Sequence, residues 1–151
     1  MVLYESLKLL HILFVIAAVG GNLTYGFWIG TASAGPQNLP HVLRRVRNFD
    51  RFVANPSYVL VLLTGIVMAW LVWGLTDWIL LSLILWVIAM GIGTGLFLPT
   101  LKRQIEALDR HGFQSQTYQA LAKRGTMFGL LSMVPVLLIL VLMVFKPDGW
   151  F

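Results

Sequence analysis

The side chain most able to do chemistry in this sequence is a histidine in a long apolar run. His11 lies inside the stretch Leu7 to Gly30, which carries no charge after Lys8. An ionisable group placed in lipid is costly, so it marks a functional site by default. On a 3.6-residue period His11 shares a face with Ala18, Asn22 and Tyr25, which makes a polar stripe expected to face other helices. Neutral imidazole is a ligand for haem iron or copper. The alternative is a neutral histidine hydrogen-bonded to a neighbouring helix, and the residues leave both readings open.

The elements that position this histidine follow from hydropathy. The chain has 151 residues, of which 58% are hydrophobic and 11% charged, with a mean hydropathy of +0.82. A soluble domain is about 45–50% apolar and about 25% charged. A bilayer core takes about 20 apolar residues per helix. Four runs qualify, at about 7–30, 57–73, 78–98 and 126–145, and predict an all-α membrane protein. The expected fold is one antiparallel four-transmembrane-helix bundle over residues 1–151. Gly74 to Asp77 is short enough to force a helical hairpin. Ala32-Ser33-Ala34 resembles a signal cleavage site, but the apolar run before it is longer than a signal core, so it reads as a retained span.

The two longer loops are basic. Loop one, Thr31 to Pro56, holds Arg44, Arg45, Arg47 and Arg51; loop three, Pro99 to Gly125, holds Lys102, Arg103, Arg110, Lys123 and Arg124. Only Lys8 and Lys146 lie on the other side, which places both loops in the cytoplasm and both termini outside. Trp70, Trp73, Trp78 and Trp150 then form an aromatic belt at the outer interface. The net charge of +5 reflects this loop bias rather than nucleic-acid binding. Between Pro40 and Val53 the residues Val42, Val46, Phe49 and Val53 repeat among the arginines. This predicts a short basic amphipathic helix in loop one, flat on the bilayer, with anionic lipid at the cytoplasmic face as its partner. In loop three, Leu101, Ile105 and Leu108 repeat at helical spacing, with His111-Gly112 as the stop. Helices three and four are expected to project beyond the membrane.

Other patterns exclude more than they assign. The absence of cysteine rules out disulfides, thiolate metal sites and covalent haem. No carboxylate falls within the four apolar runs, so no proton relay is evident. Gly26-x-x-x-Gly30 and Gly91-x-x-x-Gly95 are spacings that let membrane helices approach closely. Pro135 should kink the fourth helix. No hydrolase or protease motif is present. A homo-oligomer, or a place as accessory subunit in a larger membrane complex, stays open.

Leu7-Lys8-Leu9-Leu10-His11-Ile12, Gly20-Gly21, Asn55-Pro56-Ser57 and Thr64-Gly65 resemble the first two helices of a bacterial family of uncharacterised predicted integral membrane proteins. More distantly the chain resembles copper-resistance CopD domains and HemJ-type protoporphyrinogen oxidases. The resemblance implies a multi-pass protein of the bacterial inner membrane. It further implies one haem b on His11, or a copper ion in the CopD case; Asn22 and Tyr25, on the same helical face, would line that cofactor site. The later-helix basic residue and histidine of the HemJ-type enzymes have no counterpart here, which argues against oxidase activity. Counted from the outer face, the level of His11 corresponds to Met68 and Met143, which would supply any thioether ligand.

Alkaline phosphatase fused after Asp148 is expected to be active and the same fusion after Asp109 silent. The opposite pattern would reverse the orientation.

Overall fold

The computed structural model describes residues 2–33 and 35–147. Four long helices account for nearly all of it: α1 (Val2–Ser33), α2 (Leu39–Trp73), α3 (Asp77–His111) and α4 (Gln116–Phe145). Each is long and apolar enough to cross a membrane. The described residues contain no strand. The chain is an all-α, four-helix bundle, as hydropathy predicts. Ala34 and Trp150, the latter assigned to the aromatic belt, lie outside the described residues.

The joints obey local backbone chemistry. Gly74 and Gly112 adopt φ of 70° and 78°, which favour glycine, and end α2 and α3. The Ser115 hydroxyl accepts a hydrogen bond from the Tyr118 N–H at 3.2 Å and caps α4. Pro56 and Pro99 do not break their helices. Each follows a π-helical turn, Asp50–Ala54 and Gly93–Phe97, inside a continuous rod.

Continuity of α2 changes the reading of loop one. The basic amphipathic segment exists, as Leu39–Phe49, but it is the first three turns of the second helix rather than a separate helix lying flat. Its buried stripe is Leu39, Leu43 and Val46, continuing to Asp50, Ala54 and Ser57. Val42, Phe49 and Val53 are only half-buried, so the stripe lies one position from the one expected. Its partners are protein: Tyr25 and Ala32 of α1, and Leu101, Ile105, Ala107 and Leu108 of α3. Tyr118 of α4 completes this core, which holds the most deeply buried side chains among the described residues. Arg44 spans from α2 to Asp109 of α3, donating to both carboxylate oxygens at 2.9 and 2.7 Å.

Two smaller clusters hold the rest. Val19, Ala89 and Val136 join α1, α3 and α4 at mid-height. Ala69, Trp78 and Ile79 pack with Met143 near the hairpin turn. Trp78 is therefore buried rather than part of the belt, whereas Trp70 is 87% exposed. Lys146 lies 4.2 Å from the Trp73 ring centroid, a cation–π contact at the same end.

The glycines that set helix spacing are not the ones in the GxxxG patterns. A Cβ added at Gly26, Gly30, Gly91 or Gly95 would meet nothing within 4 Å. A Cβ at Gly21 would stand 2.5 Å from Phe49 Cε1, and one at Gly65 3.2 Å from His11 Cε1. Both close contacts lie between α1 and α2. Gly21→Leu should lower the thermal midpoint in detergent, by an overpacking cost of about 1–3 kcal/mol. Gly20→Leu, one position away and facing open space, should leave it nearly unchanged. Equal effects would mean that Gly21 does not set the α1–α2 distance.

Candidate functional site

The polar stripe of α1 faces α2, as its periodicity requires, and each of its three polar residues has a different partner there. His11 Nδ1 lies 2.8 Å from Thr64 Oγ1. Thr64 already donates its proton back to the Leu60 carbonyl at 2.6 Å, as membrane Thr commonly does. With that proton on Leu60, Thr64 would accept from the imidazole, which is the Nδ1–H tautomer with its lone pair on Nε2. Asn22 Nδ2 donates to the Tyr58 hydroxyl at 2.8 Å. Tyr25 donates to Asp50 Oδ1 at 3.3 Å, and Asn55 Nδ2 donates to Asp50 Oδ2 at 2.9 Å.

Asp50 is the residue that sequence reading missed. It sits among arginines and reads as a wet-face residue, yet it is 6% exposed. The carboxylate ranks as buried because α2 runs unbroken through it, and because Tyr25 covers it. The Tyr25 ring is itself stacked against Phe97 at 6.4 Å and meets Phe49 edge-on at 6.3 Å. Among the described residues no ion pair reaches Asp50; Lys8 pairs with Glu5 and Arg44 with Asp109. Two neutral donors compensate only part of the cost of burying a carboxylate.

These groups line one cavity of about 510 Å³ between the four helices. Asn22, Tyr25, Asp50, Asn55, Tyr58, Gln104 and Tyr118 are its polar wall, and Gly26, Gly30 and Gly93 open it where side chains are absent. Asn22 Oδ1 is buried without a hydrogen-bond partner among the described residues. Tyr58 and Tyr118 each accept a hydrogen bond, the latter from Gln104 Nε2 at 3.3 Å, which leaves their own O–H protons available. The wall thus offers a carboxylate, an amide acceptor and two phenol donors. Leu23 and Leu130, which line the cavity, are 60% and 67% exposed. The cavity therefore opens sideways between α1 and α4, toward the surface that lipid would cover.

The five site residues expected from sequence do not fall in one place. Asn22 and Tyr25 line the cavity; His11 does not. Met68 follows Thr64 by one helical turn on the same face, while Met143 packs on Ala69, Trp78 and Ile79. Among the described residues no three of His, Cys, Asp or Glu cluster as a metal site. Gln104, Asn55, Tyr58 and Tyr118 also went unrecognised. The signal for Asp50 was present: the stripe Leu39, Leu43, Val46 extends at helical spacing to Asp50 and Ala54.

Fold and cavity together define a multi-pass helical membrane protein with a polar interior that opens laterally. A family model described as predicted integral membrane protein (DUF2269) matches residues 5–147, and the chain belongs to that family. No curated protein and no solved structure matches the chain.

If the His11–Thr64 bond holds α1 to α2, the two residues must be coupled. His11→Ala and Thr64→Val should each destabilise the protein in detergent, and the double variant should lose less than the sum. Such interhelical bonds average about 0.6 kcal/mol. Strict additivity in the cycle would deny the bond.

Proposed function

We propose that this protein is a membrane-embedded binding protein for a hydrophobic amine or similar organic cation, which enters from the bilayer between α1 and α4. The observation that carries the reading is the buried Asp50 carboxylate, held by Tyr25 and Asn55 and lacking a basic partner among the described residues. A ligand ammonium supplies the missing charge. Its remaining N–H groups suit Asn22 Oδ1, the unpaired acceptor on the same wall. The apolar body of the ligand suits Phe97, Leu101 and Met133, which line the rest.

A dansyl-tagged long-chain primary amine and the same probe ending in a hydroxyl test this by fluorescence titration in detergent. The amine should bind roughly tenfold or more tighter than the alcohol, and Asp50→Asn should remove that difference. Equal binding of the two probes, or an unchanged preference in Asp50→Asn, would overturn the proposal.

Haem b on His11 is the second reading, and the free Nε2 lone pair favours it. The Nδ1–H held by a fixed acceptor is the arrangement that orients ligating histidines. The cavity itself does not suit haem, since its polar wall is acidic and offers no Lys or Arg to the propionates. The group would have to sit at the outer end of α1, with Met68 the nearest thioether in sequence register. Copper would draw on the same His11 with Met68 or Met143. Protein purified after haem and copper supplementation would show a Soret band or bound copper, lost in His11→Ala; a colourless, copper-free wild type would remove this reading.

A further inference from the structure

A second groove, of about 320 Å³, lies between α3 and α4 at the basic end of the bundle. Its apolar wall includes Leu96, Met127 and Phe128, and its rim carries Arg103, Arg124 and Thr100. Arg103 and Arg124 come from different helices and both are exposed. Neither forms an ion pair among the described residues. Arg103 lies seven residues beyond Leu96 on α3, and Arg124 four before Phe128 on α4. At 1.5 Å per residue the charged rim stands about one to two turns past the apolar wall. That is the spacing between the phosphate and the upper acyl chain of a phospholipid.

We infer that this groove is a binding site for one anionic phospholipid, with the headgroup phosphate between Arg103 and Arg124 and an acyl chain along Leu96, Met127 and Phe128. Guanidinium groups match phosphate oxygens in pairs, and the Thr100 hydroxyl adds a neutral donor. The rim carries two cations and no carboxylate, so charge selects an anionic over a zwitterionic headgroup. Basic pockets between membrane helices recognise lipid headgroups in this way. The arginines of α2 do not form such a site, because the apolar stripe beneath them is covered by α1 and α3.

Native mass spectrometry of the full chain in neutral detergent, with added dioleoyl phosphatidylglycerol or dioleoyl phosphatidylcholine, tests the inference. One phosphatidylglycerol should be retained in preference to phosphatidylcholine. Arg103→Gln with Arg124→Gln should weaken that retention roughly 30-fold, and each single variant by part of it. Arg45→Gln with Arg51→Gln removes equal charge from exposed positions of α2 and should leave retention intact. An equal loss in that control would mean diffuse attraction and overturn the site. Equal retention of the two lipids would mean a groove without headgroup recognition. Displacement by excess inorganic phosphate would mean a free-anion site rather than a lipid site.

Discussion

The structure depends on the close approach of α1 to α2. Two glycines permit it: Gly21 accepts the Phe49 ring against the α1 backbone, and Gly65 accepts His11 against α2. Polar bonds then fix the register along the seam, from His11–Thr64 through Asn22–Tyr58 to Tyr25–Asp50. Away from water such bonds have few competitors, yet each contributes modestly because an unfolded helix in lipid also finds partners. Their value here is positional. Shifting α2 by one residue would carry Thr64, Tyr58 and Asp50 off the seam together.

Once that seam is set, the rest of the architecture follows. The seam draws the basic start of α2 along α1, so its apolar stripe meets α3 instead of lipid. The resulting core closes the basic-loop end of the bundle, and Val19, Ala89 and Val136 close it at mid-height. Between them α1 and α4 barely meet, and Gly26 and Gly30 of α1 and Gly93 of α3 leave space rather than contact. A cavity with a carboxylate in its wall is what remains. Burying Asp50 costs stability that an apolar residue would not. A protein that only needed four packed helices has no use for that expense.

Much of the fold is legible in the sequence because hydropathy and helical period are local properties. Four apolar runs, the tight hairpin at Gly74 and the stop at Gly112 can all be read this way. The stripe Leu101, Ile105 and Leu108 is buried as its spacing predicts. The candidate site is harder to read, because charge is read from neighbours in sequence and burial comes from neighbours in space. Asp50 has Arg47 and Arg51 close in sequence, but Tyr25 and Asn55 as its contacts. The GxxxG spacings mislead for a related reason: the pattern permits close approach but names no partner helix.

Asp50 places a carboxyl group, without a basic partner among the described residues, in the wall of a cavity shared by all four helices. The chain has no cysteine, so a single thiol can report on this without background. Ser132 of α4 lines the cavity opposite the seam. The most direct measurement is the rate at which Ser132→Cys reacts with cationic and anionic methanethiosulfonate reagents of equal size in alkaline buffer. A faster reaction with the cation is expected, and loss of that preference when Asp50→Asn is added. Equal rates for the two reagents, or a preference unaffected by Asp50→Asn, would contradict it.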